Sequence, residues 1–84
     1  METRLLRYFI TLAEELHFGR AAQRLSISQP PLSVAIRQLE EEVQAQLFER
    51  SSKGVRLTAA GEHLLPRARQ VIALTQQAAQ ETQD

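Results

Sequence analysis

At 84 residues the chain holds one domain at most, and a core of that size is marginal alone, so self-association is an expected support. It has no cysteine, which excludes a disulfide framework and a thiolate metal site, and its two histidines, His17 and His63, match no ligand spacing. Lys plus Arg and Asp plus Glu number 10 each, so net charge argues against a nucleic-acid partner and only the placement of charge can argue for one.

No apolar run is long enough to span a bilayer, and Glu2, Arg4 and Arg7 interrupt the N-terminus where a signal peptide would be apolar. A cytoplasmic chain without membrane attachment is the expectation. Leu5, Phe9, Leu12, Ala13 and Leu16 fall on one helical face and predict a first helix from about Thr3 to Leu16. Glu14 and Glu15 sit near its end, where the helix dipole does not favour them. A break is expected at His17-Phe18-Gly19, with Gly19 an acceptable N-cap. Phe18, Ala21, Ala22 and Leu25 then follow the i, i+3, i+4, i+7 pattern of a second helix. A helix of about two turns does not persist alone, so it must pack on its neighbours. Leu25-Ser26-Ile27-Ser28 is a tight connection, with Ile27 expected to plug into the core.

The third helix begins with two consecutive prolines, Pro30 and Pro31, after Ser28 as N-cap. Proline loses nothing there, because the first N–H groups of a helix have no intrahelical partner. Leu32, Ala35, Ile36, Leu39 and Val43 project to one side. Pro30, Ser33, Val34, Arg37 and Glu41 project to the other, with Gln29 at the margin. The N-terminal half of that outer face carries no acid. Glu40-Glu41-Glu42 reads as the solvated C-terminal half of the helix. Two helices joined by a short turn with an apolar residue in it form a helix-turn-helix layout, whose second helix normally enters the DNA major groove. Ser26 stands where that turn usually has glycine.

Leu47-Phe48-Glu49-Arg50 and Val55-Arg56-Leu57 alternate around Ser51-Ser52-Lys53-Gly54 and predict a β-hairpin. Arg50 and Arg56 are expected to share one face, with Lys53 at the tip, as in a basic wing. Thr58 caps a last helix from Ala59. Gly61, Leu64, Ala68, Val71, Thr75, Ala78 and Thr82 alternate spacings of three and four, and Leu65, Ile72 and Ala79 widen the stripe. This is a coiled-coil-like seam of about three heptads. Pro66 inside it should kink the helix or loosen its first turn. The uncapped, Gln-rich end predicts that the natural chain continues.

The run Phe18–Leu25 (FGRAAQRL), then SQPPLS from Ser28 to Ser33, Ile36-Arg37, Leu39-Glu40, Leu47-Phe48-Glu49-Arg50, and Leu57-Thr58 with Ala60-Gly61 resembles the N-terminal domain of LysR-type transcriptional regulators. The resemblance covers the entire chain, in order and with the usual spacing. It implies a mainly α fold: a winged helix-turn-helix over residues 1–58, with three helices and a two-stranded hairpin wing, then a long linker helix over 59–84. It further implies linker helices paired antiparallel in a homodimer, and full-length tetramers. A separate C-terminal domain, not part of this chain, would bind a small-molecule inducer. The partner is double-stranded promoter DNA bearing an interrupted palindrome, and no cofactor is expected in this domain. The family's DNA contacts map onto Gln29, Pro30, Pro31 and Ser33. Val34, often polar or basic in relatives, offers only apolar contact, as to a thymine methyl, rather than a hydrogen-bonded readout, and Lys53 takes a wing position that is frequently arginine.

Gln29 can pair bidentately with adenine, against a plain reading as a solvated first-turn residue. Ser33 can reach a phosphate or base edge, or sit idle on the surface. Arg37 can bind phosphate or pair with Glu40 or Glu41, a pair worth only about 0.2–0.5 kcal/mol. Arg50, Lys53 and Arg56 either solubilise the hairpin or touch DNA. Arg20 and Arg24 are next in line for phosphate, and Ser28 completes the expected DNA face. Leu64, Leu65, Ala68, Val71, Ile72, Thr75, Ala78 and Ala79 are the expected dimer interface. Ser28, Ser51 and Thr58 lack a partnered base, so no enzyme is expected. The rival function is a helical interaction or dimerisation module that does not bind DNA. It accounts for the last helix but not for the proline-led helix or the basic hairpin.

Overall fold

The structure, a computed structural model, describes residues 1–83. Helices α1 (Thr3–Glu15), α2 (Phe18–Arg24) and α3 (Gln29–Val43) precede strands β1 (Phe48–Ser51) and β2 (Gly54–Leu57), and α4 (Ala59–Gln83) closes the chain. This is the expected winged helix-turn-helix with a long last helix. The core gathers Leu5, Phe9, Leu12, Leu32, Leu39 and Leu47, all fully buried. Phe9 and Phe48 meet with ring centroids 5.5 Å apart and planes at 59°, which ties the hairpin to α1.

Leu16 departs from its expected place on the buried face. It is the C-cap of α1, in the left-handed region at φ 50°, and its N–H reaches the Leu12 carbonyl at 2.7 Å. That geometry turns its side chain outward. Thr11 is buried instead, its hydroxyl donating to the Arg7 carbonyl at 2.9 Å. The N-cap of α2 is His17 rather than Gly19, which lies inside the helix. The His17 ring Nδ1 accepts the Arg20 N–H at 3.0 Å, an acceptor that glycine lacks.

Ser26 takes the left-handed conformation expected of the turn, at φ 57°. The Ser26 and Ile27 N–H groups bond back to the Gln23 and Ala22 carbonyls, and Ile27 packs half-buried against the core. Ser28 occupies the N-cap position of α3 in extended conformation, but its hydroxyl makes no capping bond. The two following prolines explain this: a capping oxygen accepts from the second or third helical N–H, and Pro30 and Pro31 have none. Leu32, Ala35, Ile36 and Leu39 are buried as expected.

The hairpin pairs Phe48 with Leu57, Glu49 with Arg56, Arg50 with Val55 and Ser51 with Gly54. Ser52 and Lys53 form the turn, and Gly54 follows it at φ +118°. This register overturns the expectation that Arg50 and Arg56 share a face. Arg50 lies across from Val55, so neighbouring Arg56 points to the opposite side.

Thr58 caps α4, its hydroxyl accepting the Gly61 N–H at 3.0 Å and donating to the Gln46 carbonyl at 2.6 Å. The helix is continuous through Pro66, and this cap holds the first turn that the proline was expected to loosen. Gly61 belongs to the close approach of α4 and the hairpin base rather than to a seam. A Cβ there would fall on the Leu47 carbonyl oxygen and the Leu57 side chain. The expected interface also divides. Ala68 is buried in the chain's own core, and Leu64, Leu65 and Ile72 pack half-buried against that core. Ala68 is therefore withdrawn from any partner. The stripe opens from Val71 onward: Val71, Leu74, Ala78 and Ala79 are exposed and Thr75 is half-buried.

Candidate nucleic-acid interface

The outer face of α3 stands clear of the fold. Gln29, Pro30, Pro31, Val34 and Arg37 are exposed, and Ser33 is half-buried. The proline-led start is stiff and carries no side-chain cap, so the first turn presents small side chains and the Gln29 amide. Gln29 lies above Gly19, which leaves room for it: its Nε2 is 3.5 Å from the point where a Gly19 Cβ would be.

Arg50 reaches this face from the hairpin because its register turns it toward α2 and α3. Its guanidinium carbon sits 3.7 Å from the Phe18 ring centroid, and Nη2 donates to the Ser33 hydroxyl at 3.5 Å. Stacking on the ring fixes the fork without cancelling its charge. Arg37, Ser33 and Arg50 thus line one groove between α3 and the wing. Lys53 is exposed at the wing tip, and its backbone N–H donates to the Ser51 hydroxyl at 3.2 Å, closing the turn.

Glu40 is the residue whose role the charge pattern concealed. It is half-buried rather than solvated, and its Oε2 accepts the Leu47 N–H at 2.8 Å and the Phe48 N–H at 3.4 Å. These two donors precede or open β1, where they have no ladder partner on that side. The carboxylate therefore fastens the wing to the last turns of α3 and leaves Arg37 unpaired.

Elsewhere the acids neutralise the bases. Arg24 bonds Glu14 at 2.9 Å and Glu15 at 3.2 Å, and Arg69 of α4 bonds Glu14 at 3.2 Å. These contacts also answer the unfavourable dipole at the end of α1. The Arg24 guanidinium holds the Glu14 carboxyl below its ordinary value, assisted by Arg69 and opposed by partial burial. Arg20, expected to contact phosphate, shares a shallow hollow with Ser28 and Gln29, but its side chain is tied to Glu15: Nε to the carboxylate at 3.3 Å and Nη2 to the carbonyl at 3.2 Å. Arg56 pairs with Glu49 across the outer hairpin face at 2.8 Å. Among the described residues Arg37, Arg50 and Lys53 have no ion-pair partner, and the only other such bases are Arg7 on α1 and Arg67 on α4. A chain of zero net charge thereby presents one cationic side. Among the same residues no cluster of histidines or carboxylates could hold a metal ion, and no helix is long and apolar enough to cross a membrane.

Residues 3–62 match the family model described as bacterial regulatory helix-turn-helix protein, lysR family. The chain is 53% identical over 79 residues to YnfL of Escherichia coli, described as an uncharacterised HTH-type transcriptional regulator, covering 94% of this chain and 27% of that one. It is 52% identical over 83 residues to the HTH-type transcriptional regulator TfdT of Cupriavidus pinatubonensis, covering 99% of this chain and 36% of that one. The chain thus spans about a third or less of the length of these relatives. Its fold superposes on the crystal structure of the CbnR_DBD–DNA complex with a TM-score of 0.94 and 40% identity, covering 99% of this chain and 95% of that one.

Proposed function

The chain belongs to the LysR family of bacterial regulatory helix-turn-helix proteins, and from that premise we propose that it is the sequence-specific DNA-binding part of a transcriptional regulator. The carrying observation is the exposed N-terminal half of the outer face of α3, which carries no acid and is flanked by the unpaired cations Arg37, Arg50 and Lys53. The CbnR domain of like fold was crystallised with DNA, which supports the reading.

In this reading α3 enters the major groove N-terminus first. Gln29 pairs with an adenine edge, and the donor-free Pro30 and Pro31 allow close approach. Arg37 and the stacked Arg50 clamp backbone phosphate on either side of Ser33. Lys53 neutralises phosphate flanking the minor groove, as a point charge rather than a fork. Ser28 and Arg20 border this contact, Arg20 with its charge already answered by Glu15. Two copies joined through the exposed part of α4 read the two halves of an interrupted palindrome. Val71, Leu74, Thr75, Ala78 and Ala79 face the partner, with Leu64, Leu65 and Ile72 at the margin. Joining the modules raises the effective concentration of the second and supplies affinity that few contacts per module cannot. The domain works without catalysis or cofactor, in the compartment that holds the promoter DNA. In the whole regulator a further domain takes the small-molecule inducer and completes a tetramer.

Selection of bound duplexes from a random DNA pool tests this. An interrupted palindrome is the expected product, with Gln29→Ala relaxing base preference at one position in each half. A dimer on a sizing column that enriches no sequence would instead establish the rival reading, a helical association module.

A further inference from the structure

The outer face of α3 is polar except at one place. Val34 is 60% exposed, one of five large apolar side chains left in the open among the described residues. The other four, Met1, Leu16, Val71 and Leu74, belong to other segments, and Met1 meets only the far end of α3, its terminal amine 3.8 Å from the Glu42 carboxylate. Val34 stands four residues beyond Pro30 and three beyond Pro31, so the three side chains form one apolar patch on the helix surface. Ser33 and Arg37 border it, and no carboxylate occurs on α3 before Glu40. A single exposed valine on an ordinary surface needs no explanation. This one lies beside the unpaired cations of a face suited to a polyanion. Among the base edges of the DNA major groove the one apolar feature is the C5-methyl of thymine.

Resting on the DNA-binding reading above, we propose that Val34, backed by Pro30 and Pro31, is a specificity-determining residue that reads a thymine through its C5-methyl group. The side chain suits this role. Its β-branch holds essentially one rotamer in a helix, so little freedom is lost on contact. It has no donor or acceptor, so its discrimination comes from the methyl contact alone. Val34 lies five residues along α3 from Gln29, a rise of about 7.5 Å, which places the thymine within about three base-pair steps of the base read by Gln29.

The test uses a duplex selected from a random pool by the wild-type chain. Each thymine of one half-site is replaced singly by deoxyuridine, which removes the methyl and keeps every hydrogen-bonding group. Wild-type affinity should fall about fourfold at one thymine, the worth of one buried methylene-sized group. Val34→Ser should bind thymine and uracil alike there, whereas Val34→Ile should keep the preference; matched thermal melts establish that both variants are folded. Indifference to uracil at every position overturns the assignment. So does a sensitive position at which Val34→Ser retains the full preference. Both outcomes leave the DNA-binding reading standing; a pool that yields no bound sequence overturns both.

Discussion

Two sides of this small molecule carry arginines in opposite states. On the flank where α1, α2 and α4 meet, Arg20, Arg24 and Arg69 converge on Glu14 and Glu15 at 2.9–3.3 Å. On the side formed by α3 and the hairpin, Arg37, Arg50 and Lys53 have no ion-pair partner among the described residues, and Arg50 is held by an aromatic ring and a hydroxyl instead. One set joins elements of the scaffold; the other is positioned yet keeps its full charge for an outside anion. Balanced composition therefore says little about partners when some of the bases are paired with acids and others are left free on one face.

Substitutions on the two sides should behave differently. The largest effect is expected from Arg50→Ala, which removes a positioned, charge-assisted phosphate contact worth about 1.5–3 kcal/mol. Fluorescence anisotropy with the selected duplex should show a loss of at least about tenfold, while Arg24→Ala on the other side should change affinity less than twofold, about the noise of a surface pair. Next comes Glu40→Ala, which leaves two backbone donors at the base of the wing without their acceptor. Thermal or urea unfolding should register a loss of about 1–3 kcal/mol, with Glu40→Gln losing less because an amide oxygen still accepts. Lys53→Ala should weaken binding to selected and scrambled DNA alike and reduce the salt slope by about one phosphate contact.

The smallest effect belongs to the paired flank. The folded-state pKa of Glu14 lies below its ordinary value, so its contribution is present above pH 4.5 and is lost as pH falls from there through the folded value. Because the cluster is largely exposed, Glu14→Gln should cost less than about 1 kcal/mol at neutral pH. That difference from wild type should shrink in unfolding curves taken below pH 4.5.

Much of this architecture is legible in the residues. The buried faces of α1 and α3, the left-handed Ser26, the proline-led start and the glycine at the hairpin turn all follow from local stereochemistry. What escapes depends on contacts distant in sequence. A run of three glutamates looks uniformly solvated, and nothing in it singles out Glu40 as the one within reach of the Leu47 and Phe48 N–H groups. Alternation alone puts the wing cations on one face, yet opposing-residue pairing puts neighbours such as Val55 and Arg56 on opposite sides, so Arg50 joins the α3 face and Arg56 does not. A three-four spacing identifies a buried stripe without naming what buries it. On α4 the same stripe feeds the chain's own core through Ala68 and opens outward only from Val71. Side-chain spacing alone does not reveal that His17, not Gly19, caps α2, because the imidazole Nδ1 reaches the Arg20 N–H only once the break before α2 is formed.

Backbone amide shifts recorded by NMR on titration with the selected duplex test the central claim most directly. The expected map concentrates changes at Gln29, Ser33, Val34 and Arg37 and at Arg50 through Gly54, with Glu14, Arg24 and Arg69 unmoved. Shifts gathered on the paired flank, with the α3 signals unchanged at saturation, would contradict the account.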